Sequence, residues 1–338
     1  MLGWLQLDDD RRRQTLTQAA QASGITVNAL EKDWWVTLVL QALFSCEYSQ
    51  FMVFKGGTSL SKGWNLIQRL SEDIDIILAP EAFGMAYNPA PGTSELSRLK
   101  RRGCNFTSNE LRNALQRQLA MLGLPAGTVE IVVDPIDPAQ PDKDPQTLFV
   151  RYRSLYDPNP YLPAPVKIEV SVRSLGIPFE ARPIGTLLNE YFPQALYQEV
   201  SFYVRSVLPK KTFIEKMMLM HEEFFQRGGR LIRVERMSRH LYDIACISQS
   251  EHADEALADV ELYNQLHSYR RNFIKLSGFD YDTLSRDRIS FMLPETEIDA
   301  YRGDYRVMQT EMIYRNPPIT FDTILQQVST MNERIREN

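Results

Sequence analysis

Hydrophobic and polar positions change their period as the chain proceeds. Apolar residues recur at helical spacing over 9–23 and again over 28–45, where the sequence reads LEKDWWVTLVLQALF from residue 30. FMVF (51–54) is a short apolar run that predicts a strand, and Leu60, Trp64 and Ile67 share one stripe that predicts a helix over 58–70. DIDIIL (73–78) alternates and then turns fully apolar, as a partly buried strand does. Residues 80–107 are rich in Pro, Gly and basic residues and read as an excursion from the core; 108–122 reads as a helix. TVEIVV (128–133), TLFVRYRSLY (147–156), VKIEVSV (166–172) and 200–207 read as strands, with Pro-rich loops at 135–145 and 157–165. From 209 every segment is helical in period: 213–226, 231–249, 253–276, 295–314 and 320–336. The pattern predicts an α/β domain with N-terminal helices over 1–208, then a helical domain over 209–338, a bilobed molecule.

A chain of 338 residues is long enough for one large or two medium domains. Its 43% hydrophobic and 24% charged residues are those of an ordinary globular protein, and no apolar run reaches the length of a membrane span. The start, MLGWLQLDDDRRRQ, lacks the basic and then apolar pattern of a signal peptide. Cys46, Cys104 and Cys246 are odd in number and never in a CxxC pair, and the four histidines are scattered. A reducing cytoplasm is expected and a structural zinc site is not. The net charge of −5 excludes global steering towards nucleic acid. The positive charge is concentrated instead, in RLKRR (98–102) and in arginines at 227, 230, 233, 236 and 239.

The informative stretch is FKGGTSLSKGWNLIQRLSEDIDII (54–77). On a strand, Asp73 and Asp75 project from the same side, about 7 Å apart, and can share one Mg²⁺ or bridge two. Gly56 and Gly57 allow a tight turn that brings backbone amides close to a ligand, and Thr58 and Ser59 open the following helix, whose N-terminus favours phosphate. A phosphate cradle and a metal pair at the two ends of a strand–helix–strand unit suit a nucleoside triphosphate. Each half has a plainer reading: Gly-Gly as a common turn, Asp-x-Asp as a solvated edge or the metal motif of a sugar transferase. The Gly-Lys-Ser/Thr of a Walker loop is absent. Ser71 lies two residues before Asp73; it is placed to contact a phosphate or to be modified, or is an ordinary turn serine.

With these residues in hand, GG(T/S)…D-h-D resembles the signature of the DNA polymerase β-type nucleotidyltransferase superfamily. The longer string, with LEKDWWVTLVLQAL, TFIEKMMLMH, RHLYDIACI and YRGDYRVMQTEMIYRNPPITFDTIL, resembles the nucleotidyltransferase AbiEii/AbiGii toxin family. The likeness spans nearly the whole chain except 80–163, and the distance from Gly57 to Asp73 exceeds that usual in the superfamily. It implies an α/β nucleotidyltransferase core with a mixed sheet and a C-terminal helical domain, working with NTP and two Mg²⁺ ions. The implied acceptor is RNA, foremost the 3′ end of tRNA, so that translation stops, and the implied partner is a cognate antitoxin. Asp73 and Asp75 would hold metal with a third carboxylate, foremost Glu169, with Asp134 or Asp137 in competition. Lys55, Gly56, Gly57, Thr58, Ser59 and Lys216 would hold the triphosphate. Asp243 becomes a general base or orienting carboxylate, although an i,i+4 salt bridge with Arg239 also explains it.

Thr212 and Glu215 fit a capping box at the head of the first C-terminal helix, which accounts for Glu215 but not Lys216. The arginine series, with Arg230, Arg233, Arg236 and Arg239 foremost, reads as a slanted helical stripe that could track RNA phosphates; pairing with Glu235 and Asp243 is the plainer reading. Two rival functions stay open: nucleotidylylation of a protein hydroxyl, and a silent nucleotidyltransferase fold that only binds a partner.

Overall fold

The computed structural model describes residues 2–137, 143–157, 162–163, 165–225 and 231–337. The chain divides into two compact units. The first comprises Met1–Trp64, Leu70–Asn88 and Gly92–Val207; the second comprises Asn65–Arg69, Pro89–Pro91 and Leu208–Asn338. No helix among the described residues is long and apolar enough to cross a membrane.

The first unit opens with α1 (Asp9–Ser23), capped by the Asp8 carboxylate, and α2 (Val27–Ser45), capped by the Thr26 hydroxyl. Helix α2 is buried on nearly every side, charged residues included. Burying Glu31, Lys32 and Asp33 is tolerable because each is satisfied. Glu31 accepts from the Ser154 hydroxyl and the Leu155 N–H, Lys32 donates to the Pro163 carbonyl, and Asp33 takes the Lys62 ammonium and the Leu187 N–H.

Strand β1 (Met52–Lys55) leads into a short helix, α3 (Gly56–Thr58), which widens into a π-turn over Ser59–Gly63. Then come β2 (Asp73–Leu78), α4 (Thr93–Phe106) running through a second π-turn into α5 (Arg112–Met121), β3 (Val129–Val133), β4 (Gln146–Tyr152), β5 (Val166–Ser171), β6 (Phe179–Ile184), α6 (Leu187–Tyr191) and β7 (Phe202–Val207). The seven strands form one mixed sheet in the order β3-β4-β5-β2-β1-β7-β6. Neighbours β2 and β5, and β1 and β7, are parallel, and every other pair is antiparallel. The expected mixed α/β core is therefore present.

The second unit is helical after Val207: α7 (Pro209–Phe224), α8 (Ser238–Ser248), α9 (Glu251–Ala258), α10 (Val260–Tyr269), α11 (Ile298–Glu311) and α12 (Phe321–Glu337). Its core gathers Phe213, Met217, Leu241, Ile244, Tyr305 and Ile324, all almost wholly buried.

Several sequence expectations are corrected. The helix expected over 58–70 ends at Gly63, and Asn65 takes a positive φ of 51°. The stretch 80–107 contains α4, whose Leu96, Leu99, Gly103 and Phe106 form a buried face. Strand β6 was not anticipated; it is an outer strand carrying Pro183, charged residues and much exposed surface. The helix expected over 231–249 starts only at Ser238, and the one over 253–276 breaks at Asp259, whose carboxylate caps Leu262 and takes Lys210. Pro209 occupies the first turn of α7, so Thr212 lies inside the helix and forms no capping box; Glu215 accepts instead from Lys211.

Gly103 shows how tightly α4 is seated. A Cβ at this position would lie 2.5 Å from Cγ1 of Val172. Gly103→Ala is expected to destabilise the protein by about 1–3 kcal/mol through overpacking. Val172→Ala should recover part of that loss in a double-mutant cycle, measured by urea unfolding.

Candidate nucleotidyl-transfer site

The site begins with strand register. Antiparallel pairing sets Lys55 opposite Asp75 and Val53 opposite Ile77, while parallel pairing sets Asp73 beside Lys167 and Asp75 beside Glu169. In β2 the even positions Ile74 and Ile76 are buried, and Asp73 and Asp75 are half-buried on the other face. In β5 Ile168 and Val170 are buried, and Lys167 and Glu169 are half-buried. Three carboxylates and two lysines thus share one sheet face.

The glycine turn lies against these acids. Gly56 has φ +77°, and a Cβ there would fall 2.1 Å from Oδ2 of Asp75. Only glycine meets both demands, since L-residues rarely adopt that φ and any side chain would displace the carboxylate. Thr58, fully buried, donates to the carbonyl of Asp73 at 2.5 Å and lies 2.9 Å from the Ser71 hydroxyl. It clamps the start of β2 to the first turn of α3. Ser59 is buried, and its hydroxyl makes no hydrogen bond among the described residues. Neither hydroxyl is displayed towards solvent as a phosphate ligand. Lys55 donates to Ser174 Oγ at 3.0 Å.

Lys167 is a member of this face that the sequence reading missed. Its ammonium lies 2.9 Å from Glu169. Burial alone would lower its pKa, but the hydrogen bond and charge of Glu169, with the charges of Asp73 and Asp75, raise it. The alternation Lys-x-Glu in VKIEVSV carried the signal.

A second constellation lies within the second unit. Asp243 is fully buried and takes two hydrogen bonds from Arg69, both 2.8 Å, and the Lys216 ammonium at 2.8 Å. Burial would raise its pKa, yet the charges and hydrogen bonds of Arg69 and Lys216 hold it well below the usual carboxylate range. A carboxylate so held is a poor proton acceptor, which suits the orienting role expected of Asp243 better than the general-base one. Arg69, far away in sequence, is thus a partner that the local pattern did not suggest. Lys216 is nearly buried rather than solvated, and burial lowers its pKa. His240 Nδ1 lies 3.3 Å from the Lys216 ammonium, and burial first, then the charges of Lys216 and Arg239, keeps the ring neutral.

Among the described residues the arginines of the series do not share one helix. Arg227 and Arg230 lie outside the described residues, Arg233 and Arg236 precede α8, and only Arg239 is on that helix. Arg233 is clamped by Glu223 at 2.9 and 2.6 Å, and the Arg236 N–H is held by Asp304.

The profile of the nucleotidyl transferase AbiEii toxin, of type IV toxin–antitoxin systems, matches residues 38–327. The chain belongs to the AbiEii nucleotidyltransferase toxin family. No curated protein matches it. Among solved structures, MenT4, a nucleotidyltransferase toxin from Mycobacterium tuberculosis, is 15% identical with a TM-score of 0.49, covering 98% of this chain and 90% of that one. JHP933 from Helicobacter pylori is also 15% identical, with a TM-score of 0.44, covering 93% of this chain and 94% of that one.

AbiEii membership supplies the enzyme class: transfer of a nucleotidyl group from an NTP with a divalent metal. Two carboxylates on one strand face, with the Gly56 backbone in the space a side chain would fill, suit a hydrated divalent ion that takes one or two carboxylates and phosphate oxygens. Among the described residues, no group of three or more His, Cys, Asp or Glu side chains is arranged to hold a metal. Glu169, beside Asp75 in the ladder, is engaged with Lys167.

Two outcomes follow. Gly56→Ala strains the backbone and displaces the Asp75 carboxylate; nucleotidyl transfer should fall by about 10²-fold while circular dichroism stays native. Asp243→Asn removes the negative charge held between buried Arg69 and Lys216 and should cost about 3–5 kcal/mol in urea unfolding. Because the native pKa of Asp243 is depressed, the stability it contributes is complete above about pH 3.9 and is lost as pH falls further, so the variant's acid limb should be flatter below that pH.

Proposed function

We propose that this AbiEii-family protein transfers a nucleotide from NTP to the 3′ end of an RNA, foremost tRNA, and so arrests translation. The observation that carries the reading is the contact of the Gly56 backbone with the Asp75 carboxylate, which joins the glycine turn and the acid pair into one site. In this reading Gly56 and Gly57 bring backbone N–H groups to the β and γ phosphates, with Lys55 beside them as a positive charge. Thr58 fixes the distance between turn and strand through the Asp73 carbonyl. Asp73 and Asp75 would hold Mg²⁺, with Glu169 as the third carboxylate. Bound there, the metal lowers the pKa of the acceptor hydroxyl and neutralises charge on the departing pyrophosphate. Lys216, paired with Asp243 at 2.8 Å, is the cation that the family resemblance assigns to the phosphates. The type IV system to which the family belongs implies an antitoxin.

Purified protein incubated with radiolabelled NTPs, Mg²⁺, total RNA and lysate tests the reading. Label is expected in tRNA-sized RNA, and it should vanish with chelator and fall by several orders of magnitude in Asp75→Asn, which loses metal-borne charge stabilisation of several kcal/mol. Label confined to protein would move the acceptor to a protein hydroxyl, and no label with any NTP would leave only a binding role.

A further inference from the structure

A second cavity opens on the same sheet face as the carboxylates, one register step further along. It measures about 280 Å³ and lies between β1, β2 and the loop after β5, with Val53 and Ile77 as its floor. Leu175, Ile177, Phe179 and Tyr87 line it. Arg205 also lines it, donating to the Ser49 carbonyl and holding its guanidinium 5.6 Å from the Phe179 ring centre. The floor is continuous with the site: Val53 pairs with Ile77 as Lys55 pairs with Asp75, so the two pairs are separated by a two-residue step of about 7 Å. Ser174, which accepts from Lys55, belongs to the cavity lining.

We infer that this cavity takes the base of the acceptor's 3′-terminal nucleotide, an inference that rests on the proposed transfer to RNA. Direction along the strands gives the argument. The glycine turn follows Lys55, so it lies beyond the Lys55–Asp75 pair on one side, and the Val53–Ile77 pair lies on the other. Phosphoryl transfer sets the attacking and leaving oxygens roughly in line on opposite sides of the phosphorus. With the leaving pyrophosphate at Gly56–Gly57, the attacking 3′-hydroxyl comes from the Val53–Ile77 side, where the cavity opens. An apolar chamber at the small end of ligand pockets accommodates one flat ring system, not a whole triphosphate. Aromatic rings and an arginine plane are the surfaces on which unstacked RNA bases rest.

Gly176 provides the test. A Cβ there would meet Val53 Cγ2 at 3.5 Å and Ile77 Cγ2 at 3.7 Å, both ordinary contacts, so a large side chain at 176 occupies the cavity over its floor. The full-length protein is assayed with labelled NTP and two RNA acceptors that are identical except that one lacks the 3′-terminal base. Wild type should favour the complete acceptor about tenfold in kcat/KM, the scale of one stacked base. Gly176→Phe should raise the acceptor KM about tenfold, use both acceptors alike and keep the NTP KM within about twofold. Equal use of the two acceptors by wild type overturns the inference, and this comparison stands even if Gly176→Phe fails to fold. A raised NTP KM with an unchanged acceptor KM also overturns it, since the cavity would then hold the incoming base. Absence of label from RNA with wild type overturns the proposed function and this inference together.

Discussion

The site depends on one register: Lys55 opposite Asp75 in the antiparallel pair β1–β2. That pairing brings the residue after β1 against the second acid, and the glycine there occupies the only geometry that leaves the carboxylate its room. A one-residue slip would turn Asp73 and Asp75 into the apolar side of the sheet and expose Ile74 and Ile76. Thr58 guards against the slip, because its bond to the Asp73 carbonyl ties α3 to the beginning of β2 independently of the ladder. The parallel neighbour β5 extends the same face with Lys167 and Glu169.

Charge is managed differently in the two units. On the sheet face the acids and lysines are half-buried, where water still reaches them and ligands can exchange with neighbouring side chains. In the second unit Arg69, Asp243 and Lys216 are withdrawn from solvent. Such a cluster is weak evidence for stability, but it fixes orientation, because any misalignment strands a charge in a poorly polarisable interior.

Much of this could be read in the chain. The strand DIDIIL, the glycine turn and the helix α2 follow from period and composition. The failures have local causes. Leu60, Trp64 and Ile67 keep helical spacing although the chain leaves the helix at Gly63, and Ile67 and Leu70 are nevertheless buried. Helix α4 was hidden by the prolines and glycines before it and by its own arginines, although Leu96, Leu99, Gly103 and Phe106 do keep helical spacing. The start of α8 is set by Asp304, which accepts from the Ser238 N–H and hydroxyl across 66 residues; no local pattern reveals such a cap. The same late start leaves Arg233 and Arg236 off the helix that carries Arg239. For Asp243 the sequence offered Arg239 nearby but could not offer Arg69, which is 174 residues away.

That separation sets a schedule for synthesis. Arg69 leaves the ribosome long before Asp243 exists, and at 5–20 residues per second the interval is about 9–35 s. A nascent chain that already carries the whole glycine–acid motif therefore holds an arginine whose buried counter-ion has yet to be made. Premature termination before residue 243 yields the motif without the ion cluster, so maturation of this toxin-family chain waits on its C-terminal helices.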